Sequence, residues 1–86
     1  MRQKQNKNYI INLNYEFMSQ IKIFLNGEEK ILSRKMTIAD LLNELELDSK
    51  KIAIEKDLQI VNQAEFSQII LDEGARVEIV HFIGGG

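Results

Sequence analysis

The sequence ends in Gly84-Gly85-Gly86, and the group in that stretch that could do chemistry is the carboxylate of Gly86. Glycine has no Cβ and no preferred φ, so three in a row form an arm thin enough to thread a narrow tunnel in another protein. A carboxylate is a poor electrophile at neutral pH. To become an acyl donor it must first be activated, and adenylation with ATP by a separate enzyme suits an end with so little steric hindrance. The other side chains offer less. There is no Cys, which excludes disulfides and thiolate chemistry and leaves too few ligands for a structural zinc. His81 alone cannot build a His-rich metal site, so no metal is expected. Parity along its strand puts His81 on the helix-facing side at the strand's end, a structural or solvent-exposed position. Asp72-Glu73 and Glu28-Glu29 adjoin turn glycines and read as solvated turns. Glu44, Glu46 and Asp48 lie two apart, a spacing that does not converge on a helix. No nucleophile is paired with a base, so an enzyme in its own right is the least favoured class.

The elements that must position such a tail are few. With 86 residues, 44% hydrophobic and 28% charged, the chain has room for one compact domain. A net charge of −2 gives no footprint for a nucleic-acid backbone. No apolar run approaches the roughly 18 to 20 residues of a membrane span. Residues 1–8 are polar and read as a disordered tail. Residues 9–17 alternate, with Tyr9, Ile11, Leu13, Tyr15 and Phe17 against Asn12, Asn14 and Glu16, as a half-buried strand would. Those polar residues interrupt any secretory h-region, so an intracellular, cytoplasmic location is expected. Alternatively Met18 is the natural start. The expected division is therefore an N-terminal extension over 1–17, a domain over 18–83, and a flexible tail over 84–86.

From Ile21 the pattern is regular. Ile21, Ile23 and Leu25 alternate with Lys22 and Phe24, and Asn26-Gly27 supplies a hairpin turn into a second strand over 29–33. A two-residue turn would set Ile23 opposite Lys30, and a three-residue connection opposite Ile31. The one-sided core favours the second. Thr37 reads as a helix N-cap with Asp40 at N3, and Met36 can staple onto Leu41. Ile38, Leu41, Leu42 and Leu45 then form one stripe. Ile52 and Ile54 alternate with Ala53 and Glu55, residues 56–58 turn the chain, and 59–62 form another short strand. A helical turn is expected over 64–66 and a last strand over 76–82. The order is β-β-α-β-β-β, an α+β mixed sheet gripping one crossover helix, which is the β-grasp or ubiquitin-like architecture. On the last strand Val77, Ile79 and His81 share one face, while Glu78, Val80 and Phe82 share the other. Val80 and Phe82 point away from the helix, joined by Phe24 if first and last strands are neighbours. That patch suggests a docking surface, unless residues 9–17 or a second subunit cover it.

The segment from Ile21 to Gly86 resembles the ThiS family of sulfur carriers in thiamine biosynthesis. The resemblance lies in its length, its element order, the opening IKIFLNG, the helix start TIADLL, the stretch from Ile60 to Phe66, and above all the ending RVEIVHFIGGG. Residues 1–17 depart from the pattern. The resemblance implies a carrier with no bound cofactor, activated on the Gly86 carboxylate by an E1-like adenylating enzyme of the ThiF type that uses ATP. Sulfur from a cysteine-desulfurase relay would replace AMP, and the thiocarboxylate would serve a thiazole synthase of the ThiG type. Gly85 and Gly86 would pass the tunnel, Gly84 and Ile83 would bridge to the body, and Phe82 and Val80 would dock, with Phe24 beside them if the first and last strands are neighbours. A MoaD-like carrier for the molybdenum cofactor and a non-carrier interaction module are the competing readings.

Overall fold

The computed structural model describes residues 19–82. Both expected division points, the alternating segment 9–17, and Ile83 to Gly86 lie outside the described residues. Ile21–Leu25 (β1) and Glu28–Leu32 (β2) form an antiparallel hairpin. Its register differs from the expectation, because Ile23 faces Lys30 and Ile21 faces Leu32. The turn is the cause. Asn26 and Gly27 take φ values of 51° and 85°, the left-handed pair used by two-residue type I′ turns, whose twist matches that of the strands. Leu32 therefore enters the core at 1% exposure while Ile31 stays 55% exposed, and half-buried Lys30 sits opposite Ile23.

Met36–Thr37 (β3) leads into the helix Ile38–Glu44 (α1). The capping box forms as the sequence suggests. The Asp40 N–H donates to Thr37 Oγ1 at 3.1 Å, and the Thr37 N–H donates to Asp40 Oδ2 at 3.2 Å. Two further donors of the first turn are satisfied across the fold, Ile38 N–H by the Ile69 carbonyl and Ala39 N–H by that of Phe66. Ile38, Leu41 and Leu42 are buried, with Leu45 at the margin. Beyond the helix, Leu47 N–H donates to the Leu42 carbonyl and Glu46 N–H to that of Asn43, the paired bonds of a Schellman ending. That ending puts Glu46 at φ 58°, where a Cβ is strained. Glu46→Gly is therefore expected to stabilise the domain by about 0.5 kcal/mol, the relief of strain being partly offset by the freer unfolded chain. A chemical-denaturation midpoint at or below that of the wild type would refute this.

A short 3-10 turn over Ser49–Lys51 precedes Ile52–Lys56 (β4) and Gln59–Val61 (β5), and another over Gln63–Glu65 precedes Ile70–Leu71 (β6) and Arg76–His81 (β7). The main sheet runs β2-β1-β7-β4-β5, with β1 and β7 parallel and the other neighbours antiparallel. This is the β-grasp arrangement, and the five strands of the main sheet and the helix follow the expected order, with the short strands β3 and β6 added to it. The β3–β6 ladder, two residues on each side, is too short to show as an alternation in the sequence.

Asp57 fixes the start of β7. Its Oδ1 accepts from Arg76 N–H at 3.0 Å, its Oδ2 from Lys56 Nζ at 2.9 Å, and its own N–H donates to the Arg76 carbonyl at 2.8 Å. The Arg76 N–H, followed by the Lys56 ammonium, holds the Asp57 carboxyl below its ordinary pKa. A group lowered on folding stabilises fully above the unfolded value, about pH 4, and loses that contribution as pH falls through the folded value. In Asp57→Asn, which keeps an acceptor and tolerates the left-handed turn, stability is expected to fall less steeply below that pH than in the wild type. Urea midpoints of both proteins across the acid range measure this, and parallel curves would dismiss the carboxylate's role.

Candidate functional site

β7 hands the chain to its terminal glycines, and its two faces differ. Val77 and Ile79 are buried toward α1, while Val80 and Phe82 stand on the outer side, 59% and 60% exposed. His81 lies opposite Ile52 at the end of the strand and is exposed, as parity suggests. Ala53 of β4 stands directly across from Val80, and Ile60 of β5, 83% exposed, stands across from Glu55. Val80, Ala53 and Ile60 line one shallow depression on the outer face, bounded by Glu55 and Glu78.

The sequence alone does not single out Ala53 and Ile60 as part of this face. The alternation of Ile52 and Ile54 already turns Ala53 outward, but Ile60 takes its place only through the β4–β5 register.

Phe24 does not join this patch. β1 and β7 are neighbours as the expectation required, yet they pair only through Phe24 with Arg76 and Leu25 with Val77. At about 3.3 Å per residue, Val80 lies roughly 13 Å and Phe82 roughly 20 Å farther along the strand. Phe24 is instead half-buried beneath the Arg76 guanidinium, 4.8 Å above its ring, a cation–π pair at the opposite end of the sheet.

Ile83, Gly84, Gly85 and Gly86, the remaining expected site residues, lie outside the described residues and follow Phe82 in the chain. Among the described residues no group of three His, Cys, Asp or Glu side chains is placed to hold a metal ion, and no helix is long and apolar enough to cross a membrane. The outer face of the described sheet is a shallow, exposed surface. It is apolar at its centre and acidic along one side.

The whole arrangement has counterparts. A model of the ThiS family matches residues 11–86. The sulfur carrier protein ThiS of Bacillus subtilis is 35% identical over 63 residues, covering 72% of this chain and 96% of that protein. A thiazole synthase of Paramagnetospirillum magneticum is 46% identical over 66 residues, 77% of this chain and 20% of that protein. A second, from Magnetococcus marinus, is 36% identical over the same length, so the chain spans about a fifth of these larger relatives. The crystal structure of the thiamine biosynthesis protein ThiS from Geobacter metallireducens superposes with a TM-score of 0.68 at 20% identity, covering 77% of this chain and all of that one. The fold, the family match running through the glycine end and the near full-length likeness to a ThiS protein lead to one assignment: this chain belongs to the ThiS family.

Proposed function

We propose that this chain is a sulfur carrier for the thiazole moiety of thiamine, a co-substrate of partner enzymes and not a catalyst. The observation that carries the reading is that the family match extends through Gly84-Gly85-Gly86, which follow the central strand of the sheet in the chain. In this reading the Gly86 carboxylate attacks the α-phosphorus of ATP within a ThiF-type adenylating enzyme, and pyrophosphate leaves. The terminal sulfur of a persulfide supplied by a cysteine-desulfurase relay then displaces AMP to form an acyl disulfide, and a thiol that attacks the enzyme-side sulfur of that bond is oxidised to a disulfide and releases the thiocarboxylate. ATP belongs to the adenylating enzyme, and no step asks this chain for an acid, a base or a bound cofactor. The likeness to part of two proteins named thiazole synthase supports a ThiG-type synthase as the acceptor.

The outer face supports docking to a basic partner surface. Glu55 and Glu78 stand directly opposite each other across β4 and β7, and like charges so placed are unfavourable in the free sheet. A cation on the partner would relieve that repulsion and speed encounter.

The test is the intact mass of the full chain after incubation with ATP, a ThiF-type enzyme and a sulfur source. Replacement of one oxygen by one sulfur, localised to the C-terminal peptide, supports the carrier. No change with an enzyme active on another carrier overturns it. Transfer of that sulfur to a molybdopterin-synthase large subunit in preference to a thiazole synthase would assign the other acceptor.

A further inference from the structure

The last strand is paired unequally on its two sides. Along β4 it is paired from Val77 to His81, and Phe82 N–H adds a bond to the Lys51 carbonyl. Along β1 the pairing stops early, because the chain turns back at Asn26-Gly27. Asn26 N–H donates to the Val77 carbonyl, and the Asn26 side chain takes over where the β1 backbone leaves, its Oδ1 accepting from Ile79 N–H at 2.7 Å. Backbone groups alternate sides along a strand. Odd-numbered residues of β7 therefore present their N–H and C=O toward β1, so the Ile79 carbonyl and the N–H and carbonyl of His81 point past the hairpin turn. Among the described residues nothing pairs with them.

This edge differs from the sheet's two outer edges in its chemistry. β2 carries Glu28, Glu29 and Lys30, and β5 is three residues long. Charge and shortness are the usual protections against unwanted pairing. The stretch Ile79-Val80-His81-Phe82 has neither Lys, Asp, Glu nor Pro, and its β-branched and aromatic residues favour strand pairing. An edge left this bare is suited to receive a strand. It also leads straight into Ile83 and the glycines, so whatever encloses the tail lies beside it.

We propose that the open edge of β7 at Ile79 and His81 receives an extended backbone segment of the adenylating partner, adding a strand to the sheet beside the tail. This rests on the carrier reading above and deepens it. Strand addition fixes the direction in which the tail leaves the domain, while Val80 and Phe82 on the outer face supply apolar contact. Asn26 is then a positioning residue that ends the β1 pairing and anchors Ile79.

The decisive variant is His81→Pro. It removes the edge-facing N–H without touching a bond to β4, and proline suits an exposed strand edge. His81→Ala, which keeps the N–H, is its control. ATP–pyrophosphate exchange with a ThiF-type enzyme is expected to show about a tenfold rise in KM for His81→Pro, with kcat little changed and His81→Ala close to wild type. In wild-type protein, amide exchange at His81 is expected to slow when that enzyme is added. Equal KM values for the two variants together with unchanged His81 exchange would overturn the proposal. Slow exchange in the free chain at every concentration would put another segment of the chain on the edge, and slowing with concentration alone would put a second copy there; either result overturns it. If the wild-type chain supports no pyrophosphate exchange at all, the carrier reading fails first, and the two failures are told apart.

Discussion

A chain lacking Gly85 and Gly86 is expected to lose thiocarboxylate formation by more than about a hundredfold while keeping its fold. Each extended residue spans at most about 3.6 Å, so the shortened carboxylate falls roughly 7 Å short of the position the full tail reaches. Displacements far smaller than this cost about a hundredfold when a reacting group must be positioned. The two glycines have no side chains to pack, so the unfolding free energy is expected to stay within about 0.5 kcal/mol of wild type. Gly85→Val keeps the reach and adds bulk. A loss in both variants identifies a narrow channel, whereas a loss in the deletion alone identifies reach as the requirement. Undiminished sulfur transfer to a thiazole synthase by the deleted chain would leave the interaction-module reading standing. The readout is the mass of the C-terminal peptide over time.

Truncating Val80 or Phe82 to Ala is expected to weaken binding to the adenylating partner by roughly 30-fold each, the equivalent of about 2 kcal/mol for a central apolar anchor. Both side chains are largely exposed in the free protein, so stability should change little. Phe24→Ala is the internal control. Phe24 lies at the far end of β1 under Arg76, and its loss is expected to lower stability modestly and leave partner affinity unchanged. Calorimetric titration of the three variants decides the matter. A drop in affinity for Phe24→Ala equal to that for Val80→Ala would move the docking surface to the other end of the sheet.

The contrast between those residues shows what the sequence could and could not say. The capping box at Thr37 and Asp40 was legible because it depends on residues three apart on one chain. The outward direction of Val80 and Phe82 was legible because strand parity is local. The position of Phe24 is not legible, because parity assigns a face and not a position along it, and the two-residue overlap of β1 with β7 is a long-range offset. The hairpin register is hidden for a related reason. Ile31 and Leu32 are both apolar and adjacent, so either could face the core, and only the turn geometry at Asn26-Gly27 chooses. The edge of β7 that is unpaired among the described residues is invisible in the sequence, because it arises only where a distant hairpin turns away.

The pairing of β1 with β7 also constrains how the domain comes into being. The strand at the centre of the sheet is the last described one in the chain, and its neighbour is the first. Pairings of such long sequence separation form slowly and late. During synthesis, the hairpin, the helix and β4 emerge with no central strand to join them, leaving Ile23 and Ile54 without the neighbour that buries them. The domain closes only after Arg76–His81 has been made. A polypeptide interrupted before that point has neither the outward-facing Val80 and Phe82 nor the glycine tail, and its uncovered apolar strands mark it for aggregation or proteolysis.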